Sequence, residues 1–299
     1  MSGRASARPR ARDAVIVSAV RTPTGKGRAP RPDRPGGALS VWHPVDLLAF
    51  AMRGALARID LDPGGVAPDG GTDRLEGVLD DALIGCVTQA GEQSFNVARN
   101  AVLAAGLPES LPAATIDRQC GSSQQAMAFA AQAIRAGDQD AVLVAGIESM
   151  SRAPMGSAAG GRDPFGSGVA ERYPGGLVPQ GIAAERIAAR WDLSRDELDA
   201  WAVRSHRRAG DAARSGALAG ELVPVPVAGE AGTTVLDHDE GVRPDAVLAG
   251  LSGLKPAFYD PAWEVRFPEV RWVVHAGNAS QLADGAAAAV VVSAGGGGG

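Results

Sequence analysis

The sequence predicts an α/β fold in which buried strands alternate with helices, and three observations carry this. Apolar runs of strand length recur at 14–20, 81–87, 141–147 and 286–292. Segments whose apolar residues repeat at helical spacing lie between them, an order that implies βαβ units. With 299 residues and 45% hydrophobic content, the chain can bury a sizeable core.

In order along the chain, 14–20 reads as a first core strand, 21–27 as a turn, and the Pro-, Arg- and Gly-rich 28–37 as a mobile surface loop. A helix over 45–59 presents Leu47, Leu48, Met52, Leu56 and Ile59 on one face and stops at Asp62-Pro63-Gly64-Gly65. The strand at 81–87 contains Cys86, with no cation or helix start beside it, so that thiol reads as core. A helix over 96–105 is stopped by Gly106, and 115–118 leads into Cys120. The next helix carries Ala126, Met127, Ala130, Ala131 and Ile134 and ends at Gly137. The run 141–147 has both faces covered.

From Ser149 to about Gly253 the alternation breaks. Helices are expected at 181–191 and 195–213, the second opened by Ser194 and Glu197 at capping-box spacing. So long an excursion inside one sheet fold reads as a lid or a substrate-binding insertion. The alternation resumes at 273–275 and 286–292. The domain division is therefore a disordered basic tail at 1–12, a core of 13–150 and 254–294, an insertion of 151–253, and a glycine tail at 295–299. The four arginines of the tail also fit a targeting leader.

Composition excludes several function classes. A formal net charge of −5 gives no electrostatic reason to bind nucleic acid. Two cysteines make no disulfide framework, which places the chain in a reducing, cytoplasmic compartment. His43, His206, His238 and His275 lie far apart and form no ligand spacing with the cysteines, so no metal is expected. No apolar stretch approaches the roughly 18 residues that span a bilayer.

Cys120 is the candidate nucleophile, because it sits where a buried strand turns into an alanine-rich helix. Unpaired N–H groups and the positive end of the helix dipole favour thiolate over thiol there, and the same groups can hold an oxyanion. Gly121 removes bulk beside the sulfur, and Ser122 and Ser123 suit a helix start.

Around this point the chain resembles the thiolase family, acyl-CoA acyltransferases with a five-layered αβαβα fold. The opening Val15-Ile16-Val17-Ser18-Ala19-Val20-Arg21-Thr22-Pro23 is similar to the family's, and Asp117-Arg118-Gln119-Cys120-Gly121-Ser122-Ser123 resembles its nucleophile turn. Gly146-Ile147-Glu148-Ser149-Met150-Ser151 resembles the strand end that follows. Gly277-Asn278-Ala279-Ser280-Gln281 with Asp284-Gly285-Ala286-Ala287 resembles the close of the first half-domain. The resemblance implies half of the five-layer fold, a mixed sheet covered by helices, with an inserted coenzyme A loop domain.

It also implies roles. Cys120 takes the acyl group, its own N–H helping to hold the oxyanion. Arg243 lies beside the nucleotide, Phe258, Ala276 and Ser280 line the adenine and pantetheine channel, and Gln180 stands where many thiolases have methionine. Guanidinium suits phosphate recognition, and small residues leave a narrow slot. Acyl-CoA or acetyl-CoA is then substrate, with no resident cofactor. The wording at Cys120 and at Val178-Pro179-Gln180-Gly181 is closest to bacterial members acting on fatty acyl or steroid side-chain thioesters.

Two departures stand out. The stretch 259–275, with Trp263, Phe267 and Trp272, is longer than in many relatives, and His275 occupies a place that usually holds a small hydroxyl residue. His275 either is a partly buried strand residue or alters the channel, and the former is expected because no acid–base partner is visible nearby. The second half-domain of the family, with its Gly-His-Pro histidine, second cysteine and asparagine motif, has no counterpart, so the resemblance covers about three quarters of a family chain. Carbon–carbon bond chemistry by this chain alone is expected to be impaired. Without its partner sheet the first half exposes an apolar face that the other half-domain normally covers, which implies a homo-oligomer or a complementary subunit. The alternatives are a non-catalytic coenzyme A-binding or scaffold chain and a ketoacyl synthase relative, the latter opposed by the loop domain and the Glu148-Ser149-Met150 run.

Overall fold

The computed structural model describes residues 12–61, 75–229 and 232–294. Residues 1–11, the expected helix stop at 62–65 and the glycine run at 295–299 lie outside the described residues. Two compact units are present. The first runs to residue 158, takes in 221–238 and closes with the residues from 283 onward; the second comprises 159–220 and 239–282.

The first unit contains β1 (Ala14–Arg21), β2 (Gly25–Lys26), α1 (Pro44–Ala57), β3 (Asp81–Gly85), α2 (Val97–Ala104), β4 (Ala113–Ile116), α3 (Ser122–Ala136) and β5 (Ala141–Ser149). The hairpin β6 (Val225–Gly229) and β7 (Gly232–Leu236) and the long strand β8 (Ala283–Ser293) complete it. The main sheet runs β1-β8-β5-β3-β4, with β2 also on β8. Strand β3 is parallel to β4 and β5, whereas β8 is antiparallel to β5 and β1, so the sheet is mixed.

Successive residues of a strand face opposite sides, and β5 shows this directly. Leu143, Ala145 and Ile147 pack with α1 and α2, while Val142 and Val144 pack with Ala126, Ala130 and Ile134 of α3. Helices on both faces explain why this run is apolar without interruption. Helix α2 is followed by Gly106 at φ +74° and α3 by Gly137 at φ +85°, the left-handed stops expected from the sequence.

Three expectations need correction. Strand β1 forms but lies at the sheet edge, and Val15, Ile16 and Val17 are 41%, 54% and 44% exposed. An apolar run marks a strand without saying how many neighbours it has. Residues 273–275 form no strand, because the N–H groups of Val273 and Val274 donate to the buried Glu185 carboxylate at 2.9 and 2.8 Å. The excursion after Ser149 is not one insertion. Its β6–β7 hairpin joins the first unit, with Val225 and Leu236 in that core and the Trp42 Nε1–H donating to the Pro226 carbonyl at 2.8 Å. Residues 254–282, expected in the core, pack with the second unit. The segment 28–37, expected as a loop, is closed on itself by Arg31 N–H to Arg34 C=O and Gly37 N–H to Arg28 C=O, both 2.8 Å.

The second unit holds α4 (Gly166–Arg172), α5 (Gln180–Arg190), α6 (Arg195–Arg214), α7 (Leu248–Leu251) and α8 (Pro261–Arg266). The Ser194–Glu197 capping box at the start of α6 is complete in both directions. Helix α8 lies within the stretch noted as long, where Trp263 and Phe267 stack at 5.9 Å.

Candidate active site

Parallel strands β3, β4 and β5 end on the same side of the sheet, the side where open α/β folds place their ligands. Strand β4 leads to Cys120, and α3 begins two residues later at Ser122. The connecting turn is strained. Gln119 has φ +50°, and Asp117 Oδ1 holds it there by accepting the Gln119 N–H at 2.7 Å. Ser122 does not cap the helix as its type had implied: Gly121 is the N-cap, without a side-chain bond. The buried Ser122 hydroxyl instead accepts the Arg118 N–H at 2.9 Å and donates to the Gln119 carbonyl at 2.6 Å. Gly121 N–H to Arg118 C=O at 3.1 Å closes the loop. Cys120 is left exposed at its tip, and Cys86 is buried.

The support beneath this turn was not legible in the sequence. Gly85 and Gly146 are register partners on β3 and β5, and a Cβ on either would collide with Ser123 in the first turn of α3. The start of the helix that follows Cys120 therefore rests on two strands at the point where both lack a side chain. Nearby, the Glu148 carboxylate accepts Val87 N–H at 3.0 Å, Thr88 N–H at 3.3 Å and Gln93 Nε2–H at 3.0 Å. Gln93, wholly buried, also accepts Ser149 N–H at 2.7 Å, so the ends of β3 and β5 are locked together. Burial, aided by the negative charges of Glu148 and Asp117, pushes the Cys86 thiol up to about 12. That thiol is core, as expected.

The other sequence-derived site residues, Gln180, Arg243, Phe258, Ala276 and Ser280, all belong to the second unit. Gln180 opens α5, and the Phe258 ring occupies the space a Cβ would need at the adjacent Gly181. Ala276 and Ser280 flank a turn made by Asn278 N–H and Ala279 N–H donating to the His275 carbonyl at 3.0 and 2.9 Å. Gln281 Nε2–H donates to the Gly241 carbonyl at 3.1 Å, tying that turn to the loop that carries Arg243. His275 is wholly buried but, against expectation, has an acidic partner, Asp199 Oδ1 at 2.8 Å. Asp199 lies 76 residues away in sequence, on α6, and only folding brings it there. A cleft of about 600 Å³ lined by Val178, Ala183, Ile187, Arg190 and Trp191 contains none of these residues. Among the described residues no cluster of His, Cys, Asp or Glu has metal-binding geometry, and no helix is long and apolar enough to cross a membrane.

The family model for the thiolase N-terminal domain matches residues 14–295. The chain belongs to the thiolase family. It is 39% identical over 291 residues to the 3-oxoadipyl-CoA/3-oxo-5,6-dehydrosuberyl-CoA thiolase of Escherichia coli, covering 92% of this chain and 65% of that one. Identity to the steroid 3-ketoacyl-CoA thiolase FadA6 of Mycobacterium tuberculosis is 38% over 283 residues, 92% of this chain and 60% of the relative. The crystal structure of human mitochondrial 3-ketoacyl-CoA thiolase superimposes with a TM-score of 0.72 at 29% identity, covering 94% of this thiolase chain and 66% of that one. The fold is that of the family. This thiolase chain spans about 65% of the length of the first of these relatives, less than the three quarters anticipated.

Proposed function

We propose that the chain is the acyl-accepting part of a thiolase-type acyl-CoA C-acyltransferase, with Cys120 as nucleophile. The observation that carries this is the exposed thiol on a strained turn between the end of β4 and the start of α3. The Cys120 thiolate attacks the carbonyl carbon of a bound thioester, and the negative charge passes to the carbonyl oxygen, where the Cys120 N–H supports it. Collapse breaks the bond to coenzyme A sulfur, which leaves as thiolate and takes up a proton, and the acyl group stays on Cys120. In the thiolytic direction the attack falls on the 3-keto carbon of a fatty acyl or steroid side-chain 3-ketoacyl-CoA, and acetyl-CoA departs as a carbanion that must be protonated.

That second kind of step needs a general acid–base group. All four histidines are engaged elsewhere: His43 with Val45 N–H, His206 with Arg243 N–H, His238 with Asp237 and His275 with Asp199. We therefore assign this chain the acyl-transfer half-reaction, with slow carbon–carbon bond chemistry on its own. Gln180, Arg243, Phe258, Ala276 and Ser280 are assigned to coenzyme A, which enters as substrate, with no resident cofactor. A cytoplasmic setting suits a free reactive thiol. The exposed Val15, Ile16 and Val17 support association with a second copy or a complementary subunit.

Incubation with acetyl-CoA followed by intact mass measurement tests the assignment. A single acetyl adduct, absent in Cys120→Ala, is expected. A chain that stays unmodified, or an adduct that survives the substitution, overturns it.

A further inference from the structure

We propose that His206 and His275 are positioning residues for coenzyme A, each using an unprotonated Nδ1 to hold the main chain of a loop that faces it. This rests on the coenzyme A assignment above. His275 Nε2 lies 2.8 Å from Asp199 Oδ1, and a carboxylate accepts only, so Nε2 carries the proton. Nδ1 is thereby an acceptor, and it takes the Gly277 N–H at 3.0 Å. Asn278 completes the knot. Its Nδ2 donates to Asp199 Oδ1 at 2.9 Å and to the Val273 carbonyl at 3.1 Å, while its Oδ1 accepts His275 N–H at 2.8 Å. Every one of these bonds fixes the turn that presents Ala276 and Ser280.

The second loop is held in the same manner from the same helix. His206 stands seven positions after Asp199, two turns along one face of α6, and its Nδ1 accepts the Arg243 N–H at 3.2 Å. Burial and the Arg243 charge push the His206 pKa down, which keeps the ring neutral and Nδ1 free to accept. One turn further, Gly210 lets α6 approach Pro244, whose Cβ lies 2.6 Å from where a Cβ would sit. Helix α6 is thus a frame whose inner face, Asp199, His206 and Gly210, sets both loops at once.

The test is calorimetric titration of the full chain with coenzyme A, using His206→Leu, His275→Leu and the corresponding His→Asn variants. Asparagine Oδ1 reproduces the Nδ1 acceptor, and leucine does not. Each leucine variant is expected to lose roughly tenfold or more in affinity, and each asparagine variant to stay within about threefold of the native chain. The rate of Cys120 alkylation by iodoacetamide should be unchanged in all four. Because His275 is wholly buried, the partly buried His206 carries the comparison if His275→Leu does not fold. Leucine variants that bind as tightly as the native chain, or asparagine variants as weak as leucine, overturn the proposal. A native chain that takes up no coenzyme A overturns the assignment beneath it instead.

Discussion

Gly146 on β5 and Ser123 on α3 compete for one volume: the position of a Cβ on Gly146 is filled by the Ser123 hydroxyl. Its register partner Gly85 stands in the same relation, its own Cβ position 2.5 Å from Ser123 Oγ. Backbone lies immediately behind at Gly85, so relief requires the helix start to move. Gly146→Ala is therefore expected to cost about 1–3 kcal/mol in denaturant unfolding and to slow Cys120 alkylation severalfold. Unchanged alkylation with unchanged stability would show that α3 does not depend on this contact.

The two thiols should differ sharply in reactivity. Cys86 is buried with its pKa pushed up to about 12, whereas Cys120 is exposed. Iodoacetamide at neutral pH should add one carbamidomethyl group to the folded chain, at Cys120, and a second only after unfolding. Peptide mapping that finds Cys86 modified first would refute this.

Ser122 closes the turn that carries Cys120 through two main-chain bonds, to Arg118 N–H and the Gln119 carbonyl. Ser122→Ala removes both and loosens the turn that, together with the Asp117 bond, holds Gln119 at φ +50°. A stability loss of about 1 kcal/mol is expected, with a larger relative fall in the acetylation rate of Cys120. Equal acetylation rates in the two proteins would assign the strained turn no part in reactivity.

Asp284 gives a pH dependence. Burial raises its pKa above the ordinary 3.8, against bonds from Ser151, Ser149 and Met150 that lower it. Among the described residues its Oδ2 has no hydrogen-bond partner. The folded state holds this proton more tightly than the unfolded one, so the stabilisation is full below the unfolded pKa and is lost as pH rises through the folded pKa. Asp284→Asn, which resembles the protonated acid, should gain stability relative to the native chain as pH rises above the ordinary carboxylate pKa of 3.8, the gain levelling off once pH passes the raised folded-state pKa. Urea melts with a pH-independent difference would contradict the sign.

The sequence by itself determined most of the local structure of this protein. Apolar runs placed β3, β5 and β8, the Ser194–Glu197 pair opened α6, Gly106 and Gly137 ended α2 and α3, and the residues around Cys120 marked the family. These are signals of short range, written in spacing and residue type. What only the tertiary structure decided is long-range. Neighbour number put β1 at an edge, and the Glu185 carboxylate took the N–H groups that a strand at 273–275 would have paired. Asp199 reached His275, and Gly85 and Gly146 made room for Ser123, across separations that no periodicity records. A polar side chain or a missing Cβ acquires its meaning from what is packed against it, and packing exists only once the chain has folded.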